Sequence, residues 1–167
     1  MTTAHLRDAM HHHVWATLRL LEACRPLTDD QLASVVPGTY GSVLETLRHT
    51  IGADCWYLVR IAGAHEPIDE EAADVAGLLD EMERHGPAWS SLLDAGFDAD
   101  EMVVVTREDG SVASAPKGLR LAQVLHHGTD HRSQVCTALT TLGIEPPDID
   151  VWAFGIDADR ATLSPAP

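Results

Sequence analysis

The sequence predicts an all-α protein, a four-helix bundle with a small β-hairpin inserted before the last helix. Three observations carry that prediction. Apolar residues recur at three- and four-residue spacing over four long stretches. A capping or breaking residue bounds most of these stretches. Only one short stretch is β-branched. The chain of 167 residues, 45% hydrophobic, fits a single domain spanning 1–167 with a real core.

The first helix is expected over about 4–25, where Leu6, Met10, Val14, Leu18 and Leu21 form a stripe and Pro26 stops it. A polar connection with Asp29 and Asp30 leads to a turn at Val36-Pro37-Gly38. Ser42 and Glu45 form a capping box, so the second helix runs from about Val43 to Ala62 and stops at Gly63. The third covers about 73–95, either as one kinked helix or as two short ones, because Gly86-Pro87 falls inside it. Residues 102–106 and 111–115 read as a hairpin about Asp109-Gly110. The fourth helix is expected over about 119–142, ending at Gly143. The apolar tail residues Ile149, Val151, Trp152 and Phe154 are expected to pack across the bundle. Ser164-Pro165-Ala166-Pro167 is expected to fray.

Charge excludes some functions. With 26 acidic and 11 basic residues the net charge is −15, which repels phosphate backbones and anionic bilayers. No stretch is apolar enough to span a membrane. The N-terminal segment has no apolar signal core, so a cytoplasmic location is expected. Cys24, Cys55 and Cys136 are widely spaced and form no CxxC pair. They read as reduced, small, buried residues.

The ten histidines are the unusual feature. His127 and His131, spaced i, i+4, lie about 40° apart on the flank of the apolar sector of their helix. His126 points to the opposite side. Such a pair can bind one metal ion, or it can be two partly buried histidines satisfied by hydrogen bonds. A third ligand would come from another helix, and His49 is the candidate. It lies off the apolar stripe of its helix, which requires that helix to be buried on two sides. His11, His12 and His13 read mainly as surface residues of the first helix, and His5, His65 and His85 as surface residues near element ends. Arg132 faces the apolar sector and is expected to pair with a carboxylate. Gln134 lies beside the histidine pair and is a candidate to support it.

These residues resemble the DinB/YfiT-like superfamily. Arg48-His49-Thr50-Ile51-Gly52-Ala53-Asp54-Cys55-Trp56 is similar to the family segment of a His, an apolar-Gly-Ala-acidic run and an aromatic. His126 to Gln134 is similar to the family's His-x-x-x-His-Arg-Gly-Gln signature, with Ser133 in place of the common Gly and His126 in place of the common Asn. Trp15 and Trp152-Ala153-Phe154-Gly155 match further positions. The resemblance implies an up-down-down-up bundle, commonly a homodimer, with a divalent ion (zinc or nickel) on His49, His127 and His131. It implies a metal- and thiol-dependent S-transferase acting on small electrophilic molecules, and the acidic, Arg-over-Lys, Ala-rich composition leads to the expectation of a bacterial source. A non-enzymatic metal-binding or stress-related protein and a metal-dependent hydrolase are the alternatives. No general base stands out. Glu45 is expected to cap its helix, and neither Asp54 nor Asp130 is well placed.

Overall fold

The computed structural model describes residues 4–63, 65–107 and 109–164. Among these, α1 spans Ala4–Cys24, α2 Asp29–Leu32, α3 Val43–Ala62, α4 Val75–Ala95, β1 Met102–Thr106, β2 Val112–Pro116, α5 Lys117–Thr141 and α6 Val151–Asp157. The chain is mostly helical, with one antiparallel hairpin before the last long helix.

Local chemistry explains the boundaries. Ser42 and Glu45 make the expected reciprocal capping box on α3, and Gly63 ends it in the left-handed region at φ 70°. Glu45 is thus a cap. The single turn α2 was expected to be a polar connection. Thr28 and Gln31 form a second capping box there, too short to show an apolar period. α4 is one helix through Pro87. Pro87 and Glu83, whose carbonyl loses its partner, are both exposed, so water can take that carbonyl. Gly110 takes φ 80° in the hairpin turn.

α1 packs against α4 and α5, and α3 against both α4 and α5. This gives His49's helix the two covered sides its position requires. The core has two apolar clusters. One contains Leu20, Leu47, Ile51, Leu78, Met82, Val135 and Leu139. The other contains Met10, Leu58, Trp89, Leu121 and Val124. Each long helix also carries buried polar residues between the two sets: His13 and Thr17 in α1, Asp54 in α3, His85 in α4, His131 and Arg132 in α5. A polar belt therefore crosses the middle of the helical core.

Of the apolar tail, Phe154 is buried against His12 and Trp15, whereas Val151 and Trp152 are 64% and 71% exposed. The expectation that all of them pack inward fails because a seven-residue helix turns only one face to α1. The expected fraying of the C-terminal four residues falls, for 165–167, outside the described residues.

Candidate metal centre

α3 and α5 bring His49, His127 and His131 together, each offering one ring nitrogen within 4.8 Å of the others. His127 Nε2 lies 3.0 Å from His49 Nε2 and 3.1 Å from His131 Nε2. His126, one residue away, is exposed.

The surroundings orient the rings. Gln134 Oε1 lies 3.3 Å from His131 Nδ1 and also accepts the Tyr40 backbone N–H at 2.8 Å. A carbonyl oxygen only accepts, so the His131 proton sits on Nδ1 and the Nε2 lone pair faces the cluster. The Tyr40 ring stacks on His49 at 4.1 Å and meets His131 edge-on at 5.4 Å. Nothing in the helical periodicity marks Tyr40, which lies in the loop before α3.

Burial, then the neighbouring His131 and His49, pulls His127 down to about 4, and burial and His131 lower His49. Both rings are therefore neutral at pH 7, the form a metal requires. One nitrogen holds at most one proton, so three facing ring nitrogens cannot all satisfy each other by hydrogen bonds. A single cation uses all three lone pairs at once, and the donor set fits a divalent ion with an open position. The lowered values also set the pH response. Protons compete less for His127 and His49 than for an ordinary imidazole near 6.5, so these two ligands should hold metal to lower pH than ordinary histidines would. Metal retention across a pH series checks this, and release complete by pH 6 would contradict it.

Two cavities meet at His49. One, of about 590 Å³, is lined by Tyr40, Arg48, Glu70 and Glu71 among others. The other, of about 350 Å³, is lined by Trp56, Tyr57, Glu70, Gln123 and His127. Glu70 borders both. A Cβ on Gly52 would fall 2.0 Å from the Glu70 carboxyl carbon, so the glycine makes room for this side chain. Burial raises the Glu70 carboxyl, making it a better proton acceptor than an exposed glutamate. Glu70 was not anticipated, because a loop acid among 26 acidic residues carries no pattern.

The polar belt corrects several expectations. His85 is fully buried and His13 is 2% exposed, so neither is a surface residue. His65 is largely buried, with its side chain 10% exposed. Each meets a carboxylate, Asp54 or Glu81, that the wheel of a single helix cannot show. Burial lowers His65, whereas at His85 burial is outweighed by the Asp54 carboxylate, which raises the ring. His12 is half-buried, its ring bonded to the Ile149 carbonyl at 2.9 Å, while His5 is exposed.

Among the described residues Arg132 does not pair with a carboxylate directly. It donates to Thr17 Oγ1 at 3.1 Å and Thr129 Oγ1 at 3.2 Å, with His13 Nδ1 3.0 Å away. His13 Nε2 in turn lies 3.3 Å from Asp54 Oδ1, too poorly aligned for a good hydrogen bond. Burial pulls the Arg132 guanidinium down to about 10, opposed by Asp54. A Cβ on Gly128 would strike the His13 ring at 2.5 Å, which explains a glycine inside α5.

Among the cysteines, burial pushes Cys24 up to about 12 and raises Cys136. Burial thus disfavours the thiolate at both. All three thiols are free. Among the described residues no helix is long and apolar enough to cross a membrane.

No curated protein matches the chain. The sequence model of the DinB family matches residues 1–159, covering every element and all three converging histidines. The chain belongs to the DinB family.

Proposed function

We propose that this DinB-family chain is a metal-dependent S-transferase, joining a low-molecular-weight thiol to a small electrophilic molecule. The observation that carries the reading is the convergence of three imidazoles, His49, His127 and His131, beside an open cleft. A divalent cation held there, zinc or nickel, supplies the Lewis acidity that keeps a thiol deprotonated at neutral pH.

The chain's own groups suit the remaining tasks. Glu70, bordering both cavities, is placed to take the proton of the incoming thiol. The sulfur then bonds to the electrophilic carbon, and the leaving group departs with the bonding pair. Trp56 and Tyr57 give an apolar wall for the electrophile. The Arg60 guanidinium lies 3.8 Å and that of Arg120 5.8 Å from the Trp56 ring centre. They brace the Trp56 wall from behind, Arg60 also donating to the Trp56 carbonyl and Arg120 to the Val103 carbonyl.

The reading includes an up-down-down-up four-helix bundle. Its support is the order of core contacts: α1 and α5 meet the Met10/Trp89 cluster first, α3 and α4 the Leu47/Met82 cluster first. It also includes a single domain, a cytoplasmic location consistent with free thiols, and a homodimer carried by the family resemblance.

The test is turnover of 1-chloro-2,4-dinitrobenzene by the zinc- or nickel-loaded chain with mycothiol or bacillithiol. Thioether formation should require both metal and thiol, and Glu70→Gln should lower kcat by roughly 10²-fold. Metal-dependent ester cleavage without thiol would instead identify a hydrolase. Absence of any turnover by the loaded chain would leave a metal-binding protein and overturn the proposal.

A further inference from the structure

α4 carries Glu81 and His85 one turn apart, 2% and 0% exposed. An i, i+4 pair presents its two side chains on one helix face. α3 brings Cys55 to the same point, and the segment after α3 brings His65. One donor atom from each of the four lies within 4.8 Å of every other. His65 Nε2 is 2.6 Å and His85 Nε2 3.0 Å from Glu81 Oε1. None of the four belongs to the three-imidazole cluster. At 100° per residue Cys55 lies about 120° around α3 from His49, so the helix separates the two groups.

We propose that Cys55, His65, Glu81 and His85 form a second metal site, a closed four-donor site for zinc(II). The donor set is one sulfur, two imidazole nitrogens and one carboxylate oxygen. That completes a tetrahedral zinc shell with no position left for substrate, and a thiolate disfavours magnesium and calcium. The charges balance as well. Glu81 and the Cys55 thiolate, its proton released to solvent, neutralise one divalent ion.

The groups around the donors fit this role. Asp54 Oδ2 lies 2.7 Å from His85 Nδ1, so the carboxylate takes the ring N–H and turns the Nε2 lone pair toward Glu81. This is the carboxylate–histidine–metal arrangement that fixes a ligand ring. Arg84 pairs with the other Glu81 oxygen, leaving Oε1 free for the ion. A cavity of about 550 Å³, lined by His65, Glu81 and Arg84 among others, provides the way in. Donors about 2.0 to 2.3 Å from zinc stand roughly 3.3 to 3.7 Å apart in a tetrahedron. His65 must therefore move back from Glu81 by less than about 1 Å, and it sits on a segment without regular structure. Zinc there would pin to α4 the segment that also carries Glu70 to the cleft.

Zinc titration of the metal-stripped full chain tests this. Two equivalents should bind. The double variant His127→Ala/His131→Ala should keep one, and His65→Ala should also keep one, held by the three imidazoles. Cobalt(II) gives a spectroscopic check. The wild type and the double variant should show a thiolate-to-cobalt charge-transfer band that Cys55→Ser abolishes. The three-imidazole cluster contains no sulfur and the other two thiols lie elsewhere, so the band reports Cys55. A single zinc equivalent that the double variant abolishes would overturn the proposal. So would a cobalt spectrum that Cys55→Ser leaves unchanged.

Discussion

Replacing His131 with alanine should remove one equivalent of divalent metal per chain. His131 is the most buried of the three converging histidines, and its lone pair is held toward the cluster by Gln134. Without it, His49 and His127 offer two nitrogens, too few to hold an ion against water. His127→Ala should have the same result, because His127 Nε2 is the nitrogen near both partners. Gln134→Ala leaves all three ligands but frees the His131 ring, and should weaken binding by roughly 10- to 100-fold. His126→Ala should change nothing, since its ring is exposed. Elemental analysis of untagged protein and calorimetric titration of the stripped chain read all four. Metal content unchanged in His131→Ala and His127→Ala would end the three-histidine assignment. Equal loss in His126→Ala would mean the facing of α5 is wrong.

The contrast between His126 and His127 shows what was legible in the sequence. Facing is a property of one helix, and the 3.6-residue period alone separates neighbours on α5. Helix ends were legible for the same reason: Ser42, Glu45 and Gly63 act on backbone groups within a turn. His49 was a candidate partner for the α5 pair from its place in mid-helix, and the family resemblance strengthened it, because no single-helix period relates two helices. The polar belt was the least legible part. His13, Asp54, His85 and Arg132 come from four helices; Arg132 stands in the apolar sector of its own wheel, but His13 and His85 read as surface and nothing on one wheel joins the four. Only the packing of α1 and α3 against α4 and α5 shows that these residues face each other. Glu70 was hidden differently. Its place depends on the path of a loop and on the missing side chain at Gly52.

Replacing Asp54 with alanine should be the most destabilising single change in the belt. Its side chain is only 2% exposed, yet it accepts from His85 Nδ1 at 2.7 Å and Trp89 Nε1 at 3.2 Å, with His13 Nε2 3.3 Å away. Burial alone would raise its carboxyl, but His13 and His85 outweigh burial and hold it well below the usual carboxylate range. The linkage sign follows. A depressed folded pKa adds stability above the unfolded value near 3.9, lost as pH falls through the folded value. At pH 7 that contribution is fully present. Alanine removes the one carboxylate that balances the buried Arg132 and leaves the Trp89 and His85 donors without an acceptor. Breaking a buried charge network from one side costs about 3–5 kcal/mol. At this chain length that lowers Tm by on the order of 10 °C. Asp54→Asn keeps the shape and one acceptor oxygen, so its loss should be smaller. Measuring both on metal-stripped protein keeps metal linkage out of the comparison. The loss of stability in strong acid owed to Asp54, below about pH 4, should also vanish from the alanine variant's pH profile. An Asp54→Ala chain that melts within a degree or two of wild type would show that the belt is not held together through this carboxylate.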